Sequence, residues 1–148
     1  MWLSEDQQRV WRNYLAMSAG LQVEMSRQLQ RDCGLSLADY DVLVALSELA
    51  ACRVNELGDR LGWEQSRLSH QLRRMRTRGL IVRHEADDDR RGATVELTEA
   101  GRVALESSAP GHVDLVRDVV FKGTSAAQLR ALDSWTSQVL ARLGQPPA

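Results

Sequence analysis

The sequence has few of the residues from which metal sites, disulfide scaffolds and catalytic centres are built. Its 148 residues include only two cysteines, Cys33 and Cys52, and three histidines, and these do not lie at the spacing of a zinc site. It also lacks the glycine patterns of phosphate-binding and dinucleotide-binding loops and the glycine-flanked serine of a nucleophile elbow. We therefore expect a protein that is not an enzyme and that uses neither a metal nor a cofactor.

Long apolar runs are missing as well. No run approaches the roughly 18 apolar residues that cross a bilayer. The N-terminal residues MWLSEDQQ do not have the basic-then-apolar order of a secretory signal. The hydrophobic fraction of 43% and the charged fraction of 26% are those of an ordinary globular protein. These features, with the length of 148 residues, predict one cytoplasmic domain without a membrane partner.

Positive charge is not abundant in the chain as a whole, but it is concentrated in one segment. The formal net charge is −1, whereas residues 60–91 carry nine arginines and five acidic residues, a local net charge of +4. The rest of the chain therefore carries −5. A basic segment on an acidic body suits a polyanionic partner such as DNA. The same count is compatible with an arginine-rich helix face that meets only solvent.

The spacing of the apolar residues predicts a mainly α-helical fold. Apolar residues recur at steps of three and four over most of the chain, which is helical spacing. Ser36 with Asp39, and Ser125 with Gln128, resemble the capping boxes that open helices. The predicted helices span about residues 5–31, 36–50, 54–61, 64–78, 99–121 and 126–143.

The third and fourth predicted helices form a helix-turn-helix, because Gly62 provides a tight turn between them. One side of the fourth helix is apolar, and the other carries hydroxyl, imidazole and guanidinium groups. No acidic residue occurs from Gln65 to His84, whereas a face that meets only solvent would more often pair acids with lysines. Such a polar face suits the major groove of DNA. The candidate DNA-binding residues of this recognition helix are Ser66, Arg67, Ser69, His70, Arg73 and Arg74.

A small β-hairpin follows the recognition helix. Residues 81–85 and 93–97 are short strand-like segments on either side of the polar tip ADDDRRG. Arg90 and Arg91 at this tip could enter the minor groove, where narrow A·T-rich segments attract arginine. A neighbouring carboxylate can hold an arginine extended through paired hydrogen bonds. A polar turn with incidental charges is the alternative.

The order of these elements resembles the MarR family of bacterial transcription regulators over nearly the whole chain. The most specific matches are DRRGATVELTEAG at residues 89–101 and Arg78-Gly79-Leu80 at the end of the recognition helix. The resemblance implies a mainly α fold in which the hairpin is the wing of a winged helix-turn-helix. The implied regions are dimerisation helices at 1–35 and 124–148, a DNA-binding lobe at about 36–100, and a connecting helix at about 99–122.

The resemblance also implies roles for the residues of the wing and of the terminal helices. Arg91 would enter the minor groove, positioned by Asp89, while Arg90 would contact a phosphate. The N- and C-terminal helices would interdigitate in a homodimer, with Trp135 as an anchor. The implied function is that of a homodimeric repressor bound to a pseudo-palindromic promoter site on double-stranded DNA.

A small ligand, often aromatic, releases many such repressors from DNA. Trp11, Tyr14 and Tyr40 are the candidate ligand contacts, although aromatic residues at helical spacing more often belong to a core or an interface. Two other hypotheses stay open. One is a winged-helix protein-interaction module that does not bind DNA, and the other is a regulator that senses oxidants through Cys33 or Cys52.

Overall fold

The computed structural model describes residues 2–85 and 92–145. Within these two ranges, no helix is both long enough and apolar enough to cross a membrane. The chain divides into two compact units, Met1–Val113 and Asp114–Ala148.

The first unit combines long and short helices with a small sheet. Its helices begin and end within a few residues of the predicted positions. The elements in chain order are α1 (Glu5–Cys33), α2 (Leu37–Leu49), β1 (Cys52–Arg53), α3 (Val54–Leu61), α4 (Gln65–Thr77), β2 (Ile81–His84), β3 (Thr94–Leu97) and α5 (Glu99–Val116), whose last three residues belong to the second unit.

The second unit continues from α5 through a π-helical turn, Arg117–Phe121, to α6, Ala126–Arg142. The helix predicted to run to about residue 121 therefore loses its regular α-helical hydrogen bonding after Val116. The capping box predicted at the start of α6 is present: the Gln128 N–H donates to Ser125 Oγ at 3.2 Å, and the Ser125 N–H donates to Gln128 Oε1 at 2.9 Å.

The predicted hairpin is part of a three-stranded antiparallel sheet with the strand order β1-β3-β2. Ile81 pairs with Leu97 and His84 with Thr94, which confirms the strands of the hairpin. The additional strand β1 pairs Cys52 with Val95. The sequence pattern does not reveal β1, because two residues are too few to establish an alternating period.

The core of the first unit lies where α2, α3 and α4 pack against the sheet. The residues predicted to face inward on the recognition helix, Leu68, Leu72 and Met75, are buried. The other large buried apolar side chains are Leu29, Leu35, Val42, Leu43, Leu46, Val54, Leu57, Leu80, Ile81 and Val95.

Helix α1 contributes to this core only near its C-terminal end. An apolar stripe with helical spacing runs along it, in which Leu29 is fully buried, whereas Val10 and Met17 are exposed. The stripe on α6 is also largely exposed, and it includes Leu129 and Leu132. The periodicity of these residues is thus correct for helices, but within one chain the stripes do not form a core.

The end of the recognition helix is joined to the start of α5 by a close backbone approach. A Cβ atom on Gly101 would lie 2.0 Å from the carbonyl oxygen of Leu80, so only glycine fits there. Thr98 donates its hydroxyl hydrogen to the Gly79 carbonyl at 2.6 Å and accepts from the Gly101 N–H at 3.0 Å. The two motifs Arg78-Gly79-Leu80 and Thr98-x-x-Gly101 are therefore in direct contact.

Candidate nucleic-acid interface

The turn between α3 and α4 has the backbone geometry that the sequence predicts. Gly62 has a φ of 64°, in the left-handed region that glycine adopts without strain. Gly58 on α3, where this helix approaches α4, is less constrained. A Cβ atom there would lie 3.4 Å from Leu68 Cδ2, which is an ordinary van der Waals contact.

The outward face of α4 carries the predicted DNA-binding side chains. Ser66, His70, Arg73 and Arg74 are exposed, and Ser69 is half-buried. The opposite face is buried against the core. Helix α4 therefore presents a continuous polar and basic surface to solvent.

Arg67 is held by a neighbouring side chain at the start of the same helix. Its guanidinium carbon lies 4.0 Å from the centroid of the Trp63 ring, a cation–π distance. Burial raises the pKa of Asp41 on α2, although the positive charge of Arg67 acts in the opposite direction. Among the described residues, Arg67 thus has side-chain interactions that the other candidate DNA-binding residues of α4 do not have.

A buried carboxylate, Asp39, connects α4 to the junction between α1 and α2. Only 1% of the residue is exposed. It accepts hydrogen bonds from Gln71 Nε2 at 2.6 Å and from Arg78 Nη1 at 2.7 Å. Arg78 Nη2 in turn donates to the Gly34 carbonyl at 2.9 Å, beyond the C-terminal end of α1. One carboxylate thereby fixes both the middle and the end of the recognition helix.

The pKa of Asp39 reflects these contacts. Burial alone would raise it, but hydrogen bonds from the Ser36 N–H and from Arg78 hold it below its usual range. The sequence predicts only the local part of this arrangement, the capping box in which the Ser36 N–H donates to Asp39 Oδ2 at 2.9 Å. Its partners Gln71 and Arg78 are 32 and 39 residues away in the chain.

The tip of the wing, with Asp89, Arg90 and Arg91, lies outside the described residues. At the stem of the hairpin, His84 on β2 lies 3.1 Å from Glu96 on β3. The described strands therefore fix where the wing begins and ends, and the roles of the three tip residues stay predictions.

Comparisons with known proteins agree with this architecture. A sequence model of the MarR family matches residues 34–92. Sco3205, a MarR family transcriptional regulator from Streptomyces coelicolor solved in complex with DNA, is 36% identical, and the match covers 99% of this chain and 92% of that one with a TM-score of 0.89. This chain belongs to the MarR family.

Two further relatives support the assignment. AbsC, another MarR family regulator from Streptomyces coelicolor, is 34% identical over 98% of this chain and 99% of its own, with a TM-score of 0.89. YfiV of Bacillus subtilis (strain 168), an uncharacterised HTH-type transcriptional regulator, is 28% identical over 79% of this chain and 73% of its own. MarR family regulators are DNA-binding proteins rather than enzymes, which confirms the predicted absence of an enzymatic function.

The three aromatic residues predicted to contact a ligand belong to two different places in this MarR family chain. Trp11 and Tyr14 stack on each other on α1, with ring centroids 5.6 Å apart. Tyr40 on α2 instead lies against His112 on α5, at a centroid distance of 4.8 Å. At a helical rise of 1.5 Å per residue, Tyr14 lies about 22 Å along α1 from Leu29, which is part of the core.

His112, which contacts Tyr40, and Gln28, which lies close to the neighbouring Gly111, each carry a buried polar atom without a hydrogen-bond partner among the described residues. These atoms are His112 Nδ1 and Gln28 Oε1. Helix α5 lies close to α1 at Gly111. A Cβ atom on this glycine would lie 2.7 Å from Gln28 Nε2. Burial raises the pKa of the Tyr40 hydroxyl. No sequence pattern assigns a role to His112, because its contact with Tyr40 joins two separate helices.

Neither cysteine lies in surroundings that would activate its thiol. Cys33 is half-buried, and its thiol donates to the Leu29 carbonyl at 3.1 Å. Cys52 is buried, and burial, followed by the negative charge of Glu56, raises its pKa. A raised pKa lowers the thiolate fraction on which oxidation depends. Residues 2–85 and 92–145 also contain no cluster of three side chains that could hold a metal.

Proposed function

We propose that the protein is a homodimeric repressor that binds a pseudo-palindromic promoter site with the α4 helices of its two subunits. The observation that carries the proposal is the outward face of α4, which combines hydroxyl, imidazole and guanidinium groups without an acidic residue. In helix-turn-helix proteins the N-terminal part of the recognition helix contacts base edges. Ser66, Ser69 and His70 occupy that part of α4 and would read bases in the major groove.

The basic residues of the lobe would complete the DNA contact. Arg74 extends the outward face of α4 and would contact the DNA backbone or a base. In the wing, Arg91 would enter the minor groove with its side chain positioned by Asp89, and Arg90 would contact a phosphate. Arg67 would have to leave the Trp63 ring to reach DNA, so we assign it a weaker contribution than the other residues.

The partner that covers the apolar stripes would be a second copy of the chain. Large apolar side chains are exposed along α1, and others are exposed along α6. Exposed apolar patches of this kind mark interaction sites in soluble proteins. Two copies would bury both stripes and would place two recognition helices on one DNA site. The exposed side chains include Trp2, Leu3, Val10, Trp11, Leu15, Met17 and Val23 on or before α1, and Leu129, Leu132 and Trp135 on α6.

A small aromatic ligand would act at the contact between Tyr40 and His112. The ring pair and the unpartnered atoms of His112 and Gln28 offer both a stacking surface and hydrogen-bonding groups. The site lies between α1, α2 and α5, so a ligand there would change how these helices pack. Binding would release DNA only if the ligand favours the arrangement that DNA does not bind.

Fluorescence anisotropy tests this function. The purified protein would be titrated onto labelled duplex DNA from upstream of its own coding region and onto a scrambled duplex of equal length, at several salt concentrations. We expect tighter, salt-dependent binding to the upstream duplex with two chains per site. The double substitution His70→Ala and Arg74→Ala should abolish the preference, whereas Arg27→Ala on α1 should not.

Equal and weak binding to both duplexes would count against a repressor of its own promoter and would favour the protein-interaction module. For such a module, the substitutions on the face of α4 would leave partner binding unchanged. Sedimentation at the same concentrations would test the dimer separately, because a monomer would contradict the two-subunit arrangement even if DNA is bound.

A further inference from the structure

The groove between the recognition helix and β2 is lined by three arginines. The buried residues Leu72 and Ile81 and the half-buried Ser69 also line it. Arg73 and Arg76 line the helix side, and Arg83 lines the strand side. Arg76 and Arg83 are not among the DNA-binding residues that the sequence predicts, because the groove depends on how β2 packs against α4.

The positive charges of this groove are only partly balanced within the protein. Arg83 Nε lies 2.7 Å from Glu85 Oε1, an ion pair whose carboxylate side chain is 71% exposed. Neither Arg73 nor Arg76 forms an ion pair with any residue of the described chain. Three arginines line the groove and one carboxylate pairs with one of them, so the groove carries net positive charge and favours a bound anion.

We propose that this groove binds one phosphate of the DNA backbone, held jointly by Arg73, Arg76 and Arg83. The inference rests on the proposed DNA-binding function, and it assigns Arg73, a candidate DNA-binding residue of α4, to the DNA backbone. Guanidinium groups form short, charge-assisted hydrogen bonds to phosphate oxygens, and the hydroxyl of Ser69 adds a further donor.

The position of the groove favours a phosphate over a base edge. Arg73 and Arg76 lie in the C-terminal half of α4, whereas base contacts in helix-turn-helix proteins come mainly from the N-terminal residues. Arg83 lies on the wing. A phosphate bound between helix and wing would fix the orientation of α4 in the major groove without reading sequence.

Anisotropy titrations of Arg76→Gln, Arg83→Gln and the double variant test the proposal, with Arg27→Gln as the matched control. Arg27 is an exposed arginine on α1 that forms an ion pair with Glu24 at 2.7 Å. The upstream and scrambled duplexes would be compared from low to moderate salt. Each single variant should bind both duplexes at least threefold more weakly, with the ratio of the two affinities unchanged.

The salt dependence distinguishes one shared phosphate from separate contacts. Each neutralised phosphate contributes about 0.9 to the slope of log affinity against log salt concentration. The double variant, which keeps Arg73, should therefore lose at most about one unit of slope in total. A loss of about two units would mean two separate phosphates and would overturn the shared site. A changed affinity ratio between the duplexes would mean base reading and would also overturn it.

Two further arms separate the remaining outcomes. Arg76→Lys keeps the charge, so it should retain most of the slope, whereas a fold defect in Arg76→Gln would appear in its circular dichroism melting curve. If inorganic phosphate binds the wild type without DNA and the double variant loses only that binding, the groove is a free-anion site and the proposal is wrong. If the wild type binds DNA but the groove variants have the same DNA affinity as Arg27→Gln, only the groove assignment is wrong. If the wild type does not bind DNA, the proposed function is wrong as well.

Discussion

Replacing Asp39 by asparagine removes a negative charge from the junction of α1, α2 and α4 while nearly preserving the shape of the side chain. The native carboxylate accepts hydrogen bonds from Gln71 Nε2, Arg78 Nη1 and the Ser36 N–H. Asparagine has one accepting oxygen and one donating amide nitrogen. At least one of these three donors must therefore face another donor in the variant.

The size of the effect follows from these contacts. A hydrogen bond to a charged group contributes about 1.5–3 kcal/mol, and a buried donor without an acceptor costs about 1–3 kcal/mol. The side chain of Arg78 is 41% exposed, so water replaces part of its lost interaction. We expect Asp39→Asn to lower the free energy of unfolding by roughly 2–3 kcal/mol at pH 7. Urea denaturation followed by circular dichroism measures this difference.

The pH dependence provides a second, independent test of the same contact. The folded pKa of Asp39 lies below its ordinary value of 3.8, so its contribution to stability is complete above that value and is lost as the pH falls through the folded pKa. The difference in the free energy of unfolding between wild type and Asp39→Asn should therefore become smaller only at acidic pH. A double-mutant cycle with Arg78→Gln should show coupling, because the two side chains are in direct contact. A difference in unfolding free energy below about 0.5 kcal/mol at pH 7, the size of ordinary surface effects, would show that these contacts do not stabilise the fold.

The remaining predictions concern Gly101 on α5, the DNA contacts of Arg91 and His70, and the carboxyl group of Asp41. Gly101→Ala should lower the free energy of unfolding by about 1–3 kcal/mol or more, because its Cβ would lie 2.0 Å from the Leu80 carbonyl oxygen; an unchanged thermal melting curve would disprove this close approach. Arg91→Ala should weaken binding at every related DNA site by about 1–3 kcal/mol, and unchanged anisotropy titrations would remove the wing arginine from the mechanism. His70→Ala should change the preferred base at one position in a selection of bound duplexes, whereas a uniform loss would mark His70 as a backbone contact. Burial raises the pKa of Asp41, so its charged form opposes folding near neutral pH; Asp41→Asn should raise the urea midpoint at pH 7 but not in acid, and a lowered midpoint at pH 7 would contradict this sign.

The helices and the turn of the DNA-binding lobe could be predicted because their signals are local. The Ser36 capping box, the positive φ of Gly62 and the apolar face of Leu68 and Leu72 each depend on residues within a few positions of one another. The structure confirms all of them. For the same reason, the polar residues on the outward face of α4 could be named from the sequence.

The apolar stripes of α1 and α6 show where local signals stop being sufficient. Helical periodicity correctly predicts that Val10, Met17 and Leu132 lie on faces of helices. It does not tell which surface covers those faces, and within one chain these residues are exposed. The spacing of apolar residues shows which side chains share a helix face, whereas their burial depends on what packs against that face.

Local sequence patterns are sufficient to place the helices to within a few residues, apart from the π-helical turn after Val116, and to name the solvent-facing residues of α4. The contacts between elements could be seen only in the folded chain. Asp39 meets Gln71 and Arg78, Tyr40 meets His112, and β2 brings an arginine to the groove that the arginines of α4 line. The physical reason is distance along the chain. Hydrogen-bonding caps and helical periods act over three or four residues, but these contacts join residues from different elements, and they form only when the packing of the core brings those elements together.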